Sequence, residues 1–239
     1  MNQREQFVQK IFDRIAPRYD LLNRVISLHL DTHWRKKLIE ALDLKGRDSL
    51  VLDLGTGTGD LALTAAREMG TKGKVFGLDF SPEMISLAQE KKGELPYGDK
   101  TVYILGSALA APFREETFDA IMTAFVLRNV VDRRLFFHEA YRLLRPGGKI
   151  ASLDMFPPDR APFSLFYSLY FYRLVPWIGA VLAHDHRAYR YLSDSVRKFD
   201  PPEAISELIQ EAGFHAVKIK RFLVGAVCLH TAEKPSASL

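Results

Sequence analysis

Cysteine is almost absent. Cys228 is the sole one in 239 residues, so the chain can form neither an internal disulfide nor a cysteine-based metal cluster, and a reducing, cytoplasmic setting is expected. The amino-terminal stretch MNQREQFVQK lacks the apolar core of a secretion signal. No basic run exceeds Arg35-Lys36-Lys37, so the net charge of +4 is a mild bias. Such a bias suits an anionic surface, but a solvated exterior explains it as well. His184 and His186 flank Asp185, yet two imidazoles without a clear third ligand fit a surface turn, and no metal is expected. Internal repeats are missing, and the only biased segment is the short tail from Pro235 to Leu239. What is left, 47% hydrophobic and 26% charged, is an ordinary globule long enough for one domain with a full core.

The chain is organised around VLDLGTGTGDLAL, Val51 to Leu63. An apolar strand at Leu50 to Leu54 runs into glycines at 55, 57 and 59, and a helix opens at Asp60, the strand-turn-helix of a nucleotide site. A dinucleotide fingerprint would put glycine at Asp60, and Asp53 would place a second carboxylate beside the pyrophosphate, which is the wrong sign. A Walker loop would need a lysine that is not there. An acidic, glycine-bent turn suits a ligand carrying positive charge and no phosphate, as S-adenosylmethionine does with its ammonium and sulfonium. A second strand, KVFGLDF, ends in Asp79, 24 residues after Gly55. That is the place for an acid that takes both ribose hydroxyls.

Before the sheet, residues 7 to 44 carry helical stripes: Phe7, Ile11 and Ile15, then Trp34, Leu38, Ile39 and Leu42, with Pro17 as the break. After it, Ser81-Pro82-Glu83 predicts a capped helix through about Lys92. TVYILGSA (101 to 108) predicts a third strand and Phe118 to Phe125 a fourth. Asp132 caps a helix through Leu144 that stops at the RPGG turn, and KIASLDMF (149 to 156) predicts a fifth strand. A helix near Pro202 to Ala212 precedes HAVKIKRFL and GAVCLHTAE, whose short connection at Leu223 to Gly225 predicts an antiparallel hairpin. The expectation is a single α/β domain, a doubly wound, Rossmann-like seven-stranded sheet plus a helical lid. Residues 1–45 would cap a core of 46–156 and 197–239, with 157–196 inserted as the lid. Gly55, Asp79, Ser107 and Ala124 would converge at the carboxyl ends of the strands.

In the lid, Phe163, Phe166, Tyr167, Tyr170, Phe171 and Leu174 form one broad aromatic face. Arg173 near the centre of this apolar stretch, with Pro176 and Gly179 beyond it, argues against a membrane span. The face is expected to be a buried wall, one that can hold an oily substrate.

Methyl transfer from a sulfonium asks the protein to align a nucleophile, exclude water and, where needed, remove a proton. The fourth strand ends in AFVLRNV, Ala124 to Val130, without the N/D-P-P-Y/F string that holds a planar amino group in nucleic-acid methylases. Arg128 and Asn129 instead offer a cation and an amide suited to a phenolate or enolate oxygen; a surface salt bridge is the plainer reading of Arg128. Four strings then stand together: YDLLNRVISLHLDTHW (Tyr19 to Trp34), AFVLRNVVD, RLLRPGGK and YRYLSDSVRKF (Tyr189 to Phe199). With them the chain, from about Phe7 to Lys234, resembles the ubiquinone/menaquinone biosynthesis C-methyltransferases. The resemblance implies a class I methyltransferase that grips S-adenosylmethionine at Thr58, Asp79 and the Ser107-Ala108 pair, beside Asp53, Gly55, Gly57 and Ala124. It would release S-adenosylhomocysteine and a methylated polyprenyl quinol.

On that reading Arg128, Asn129, Tyr191 and Asp154 are the catalytic candidates, with His29 and His33 as further acceptors of a proton through water. The prenyl tail would lie along the lid, at roughly 0.8 kcal/mol per methylene removed from water. The inner membrane face is the matching partner; nucleic acid is not expected, and a homodimer is compatible with the pattern. Several positions depart from the family's usual pattern: Asp31 for histidine, Ser107 for Asp or Asn, Ala124 for serine, Val126 for glycine, and Asp154-Met155-Phe156 for Glu-Phe-Ser. Ala108 still supplies its backbone N–H to the donor, whereas Val126 adds bulk beside Arg128 and leaves the ring in question. Another aromatic or phenolic acceptor, or a donor-binding module without catalysis, are the rival readings.

Overall fold

Val51, Leu52 and Leu54 are wholly buried, as a strand covered on both faces by crossover helices must be. The computed structural model describes residues 3–158 and 186–236. Three helices come first, α1 (Gln3–Ile15), α2 (Tyr19–Ile26) and α3 (Leu30–Ala41), with Pro17 in a 3-10 turn between the first two. Then follow β1 (Leu50–Leu54), α4 (Asp60–Glu68), β2 (Lys74–Asp79), α5 (Pro82–Gly93), β3 (Thr101–Leu105), β4 (Phe118–Ala124), α6 (Arg133–Leu143) and β5 (Leu144–Met155). The chain closes with α7 (His186–Arg197), α8 (Pro202–Glu211), β6 (His215–Phe222) and β7 (Val227–Glu233).

The sheet has seven strands in the order β3-β2-β1-β4-β5-β7-β6. β1 to β5 pair in parallel, and β7 lies antiparallel to both β5 and β6, completing the expected hairpin. The order reverses beside β1, which opens a crevice above the carboxyl ends of β1 and β4. Two apolar layers flank the sheet: one joins Trp34, Leu38 and Ile39 to α4, the other joins Phe136 and Phe137 to Ile205 and Phe214. Both predicted caps form, with Ser81 Oγ accepting from Met84 N and Asp132 Oδ1 from Leu135 N.

Most boundaries fall within a residue or two of the sequence reading, and three departures have a visible cause. β3 stops at Leu105, three residues early, because the chain turns at Ser107, whose carbonyl accepts from Ala110 N. β4 stops at Ala124 because Phe125 takes a left-handed φ of 65°. The RPGG turn is absorbed into β5, which pairs Phe118 with Leu144 and then, across an irregularity in register, Ala120 with Lys149. The aromatic face between Phe163 and Leu174, Arg173, Pro176, Gly179, His184 and Asp185 lie outside the described residues. Among those described, no helix is long and apolar enough to cross a membrane, and no cluster of metal-ligating side chains occurs.

Candidate active site

The bend after β1 is held by its own backbone. Gly55 N and Thr56 N both donate to Leu78 O, at 2.8 and 3.0 Å. Gly55 has φ +75°, and a Cβ there would stand 2.5 Å from Val126 Cγ2, so glycine is required on both counts. Gly57 N donates to Asp79 Oδ2 at 2.8 Å and Ser81 N to Asp79 Oδ1 at 3.0 Å, which ties the ends of β1 and β2 together. Two adjoining hollows open from here and share Gly55, Asp79, Phe80, Val126 and Asn129. The first lies against Asp53, Thr58 and Ala124. The second, more apolar, runs past Gly106, Ser107 and Ala108. Every expected donor contact thus borders one crevice.

The amino-terminal helices roof it. Gln9 donates to Phe80 O at 2.9 Å, Ser81 Oγ to Asp13 at 2.5 Å, and Thr58 Oγ1 to Asp20 at 2.6 Å, while Phe12 and Tyr19 line the first hollow. Lys91 pairs with both Asp20 and Asp60, and Arg24 bridges Asp31 and Asp60. A chain of alternating charges, with Lys91 from α5 in it, therefore fastens α2 and α3 to the start of α4.

The electrostatics of the bend are those of a site short of a cation. Asp53 is 1% exposed; its Oδ2 accepts from Thr56 Oγ1 at 2.8 Å, while its Oδ1 has no hydrogen-bond partner among the described residues. Burial pushes its carboxyl up to about 7, against the pull of Thr56 and Arg35. Burial likewise raises Asp79 to about 6, against three backbone N–H groups. A positive ligand placed between them would draw both back toward the usual carboxylate range.

On the acceptor side, Arg128 and Asp154 form a buried ion pair. Arg128 Nη1 donates to Oδ1 at 2.5 Å, and the Arg128 and Met155 backbone N–H groups reach the same carboxylate at 3.3 and 2.8 Å. Burial works against the Arg128 charge, but Asp154 more than offsets it, so its pKa rises above the ordinary arginine value. The guanidinium stacks over Phe125, 5.8 Å from the ring centre. Tyr191 on α7 donates to Asn129 Oδ1 at 3.1 Å, and burial raises its pKa, so it stays a proton donor.

The four catalytic candidates are therefore neighbours, but with unequal access. Asn129 borders both hollows, whereas Arg128 is engaged by Asp154 and is no surface pair. Asp154 has its oxygens occupied, and His29 and His33 stand exposed on α3 and its approach. Asp31, one of the departures, is buried with Arg24, Ser27 and Arg35 around it. Sequence reasoning passed over Arg35, Asp20 and Phe125. The helical stripe of Trp34 and Leu38 was a signal that Arg35 sits next to the inward face; nothing local marked the other two.

Comparisons with known proteins bear on the family and the fold. The model of the ubiE/COQ5 methyltransferase family matches residues 1–234. A demethylmenaquinone methyltransferase from Lactiplantibacillus plantarum is 37% identical over 95% of both chains. One from Thermus thermophilus is 39% identical over 94% of this chain and 100% of its own. A ubiquinone/menaquinone biosynthesis C-methyltransferase from Geobacter sulfurreducens is 35% identical over 98% of this chain and 91% of its own. Among solved structures, a SAM-dependent methyltransferase from Aquifex aeolicus superposes with a TM-score of 0.59 at 21% identity, covering 83% and 88% of the two chains. A phosphoethanolamine N-methyltransferase from Haemonchus contortus does so at 0.62 and 17%, covering 85% and 53%. At those identities the structures speak for the fold, a class I methyltransferase sheet. The full-length sequence matches speak for more: the chain belongs to the ubiE/COQ5 methyltransferase family.

Proposed function

We propose that this methyltransferase moves a methyl group from S-adenosylmethionine to a ring carbon of a demethylmenaquinol or a related polyprenyl hydroquinone. The observation that carries the donor half is Asp53 Oδ1, buried on the wall of the glycine bend without a hydrogen-bond partner among the described residues. An ammonium satisfies it and a phosphate cannot. Asp79 suits the ribose, and the Gly106 to Ala108 hollow the adenine. Bound there, the donor supplies an electrophilic methyl carbon.

The acceptor half follows from polarity. A hydroquinone whose hydroxyl is ionised carries electron density onto the adjacent ring carbon, and the protein has to steady the oxygen without sealing off that carbon. Asn129 and the Tyr191 hydroxyl form the polar edge, oriented by the bond between them and by Phe125 O, which accepts from Asn129 Nδ2; the buried, mutually neutralised Arg128–Asp154 pair stands beside them. The relatives named for demethylmenaquinone support this choice of acceptor.

An oily acceptor also calls for a membrane face, and the roof has the character of one. Arg4, Phe7, Lys10 and Arg14 share one side of α1 at helical spacing. On the three amino-terminal helices and the turn between the first two, the exposed charged side chains are mostly basic (Arg4, Lys10, Arg14, Arg18, Lys36, against the acid Glu40), while Glu5, Asp13 and Asp20 are half-buried and Asp31 is buried. Phe7, Leu21 and Leu28 are 57%, 59% and 69% exposed among them. Basic and apolar groups mixed in this way favour an anionic bilayer, on the inner face where the quinone pool lies.

The test is a methyl-label transfer assay on a demethylmenaquinol with and without its tail. Transfer to both rings with a strong preference for the tailed one supports the proposal. A second reading, a smaller phenolic acceptor, is favoured by Val126, whose side chain fills the space directly over Gly55. Equal turnover of the tailless ring would favour that reading.

A further inference from the structure

Arg35 is the one cation among the described residues that line the first hollow, where it shares the wall with Asp53, Asp60 and Asp79. It is 6% exposed, and its Nε has no hydrogen-bond partner among the described residues. The carboxylate beside it is already in use. Asp31 stands 3.7 Å from Nε, too far for a hydrogen bond, because its oxygens are taken by Arg24 and by Ser27 Oγ, the latter at 2.9 Å. Phe125 then holds the guanidinium from the side, with its ring centre 5.4 Å away.

A buried guanidinium with a spare donor, on the wall of a cavity otherwise lined by acids, is arranged for an anion that arrives with the ligand. We propose that Arg35 takes the carboxylate of the donor's amino-acid end and so makes that carboxylate a condition of donor choice. The inference rests on reading the bend as the methyl-donor site. It assigns the two charges of that end to two walls: the ammonium to Asp53, the carboxylate to Arg35. Without Arg35, the carboxylate would enter a hollow whose lining offers it three acids and would be repelled; with it, the pair is charge-assisted and shielded from water. Phe125 acquires a purpose too, since its left-handed turn at the end of β4 brings its ring between Arg35 and Arg128.

The alternative role for Arg35 is to balance the field of the acids, which would serve any cationic ligand equally. Calorimetric titration with S-adenosylmethionine and with its decarboxylated form separates the two. The unaltered protein should bind the carboxylate-bearing donor more tightly by about 10- to 100-fold, the range of one buried charge-assisted contact. In Arg35→Met, affinity for S-adenosylmethionine should fall by that factor while affinity for the decarboxylated form changes less than about threefold. Arg35→Lys, which keeps the charge and loses the fork, should retain part of the preference. Equal binding of both donors by the unaltered protein, or equal weakening of both in Arg35→Met, overturns the assignment. Should Arg35→Met not fold, the comparison between the unaltered protein and Arg35→Lys decides, and an undiminished preference in the lysine variant overturns it. If the unaltered protein binds neither donor, it is the donor reading of the bend that fails.

Discussion

Replacing Asp53 with asparagine should make the empty protein more stable and a poorer binder. The carboxyl is raised from 3.8 to about 7 by burial, so the folded state holds its proton more tightly than the unfolded chain does. Its contribution to stability is complete below about pH 4 and is lost as the pH rises to about 7. At 1.36 kcal/mol per unit, the gap between 3.8 and about 7 amounts to roughly 4 kcal/mol at most. Asparagine keeps the shape and the Thr56 contact but carries no charge. In urea denaturation at about pH 8 the variant should therefore gain on the order of 1 to 3 kcal/mol, and near pH 4 the two proteins should coincide. Donor affinity should fall by about 10- to 100-fold, one charged contact's worth. An Asp53→Asn protein less stable than its parent at pH 8, or one that binds the donor equally well, would refute the claim that this carboxylate waits for a cation.

Because Asp79 titrates near 6 and Asp53 near 7 in the empty protein, donor affinity should rise from about pH 5 to about pH 8. Binding below pH 7 should release protons, read as a dependence of the calorimetric heat on buffer ionisation. Arg128→Ala strands Asp154 in a buried place and should cost about 3 to 5 kcal/mol in thermal or urea unfolding. The double variant Arg128→Met with Asp154→Leu should recover much of that loss while remaining slow in methyl transfer. Gly55→Ala meets both the φ of +75° and Val126, and should lose about 1 to 3 kcal/mol. Adding Val126→Gly should return only the part due to the clash, because the backbone strain persists.

Local chemistry made much of this molecule legible in its sequence. Gly55, Gly57 and Gly59 have positive φ, and that need is written in the residue type. Ser81 and Asp132 announce their helices because a cap acts three residues away, and the connection at Leu223 to Gly225 allows little but a hairpin. The site was harder to read where it depends on distant partners. Asp154 lies 26 positions from Arg128 and Asp20 lies 38 from Thr58, so an arginine expected to meet the substrate oxygen proved to be held by a carboxylate from the next strand. Arg35 looked like one member of a basic run until α3 turned it inward, and the early ends of β3 and β4 follow from turns at Ser107 and Phe125 that no residue type dictates.

The central claim is that an acid-lined glycine bend selects a cationic sulfur donor over any phosphate-bearing nucleotide. Equilibrium dialysis of labelled S-adenosylmethionine against excess NAD or ATP tests it most directly. Saturable binding of the donor, displaced by S-adenosylhomocysteine and untouched by either phosphate ligand, is the predicted result. Displacement by the dinucleotide, or no retained donor at all, would contradict it.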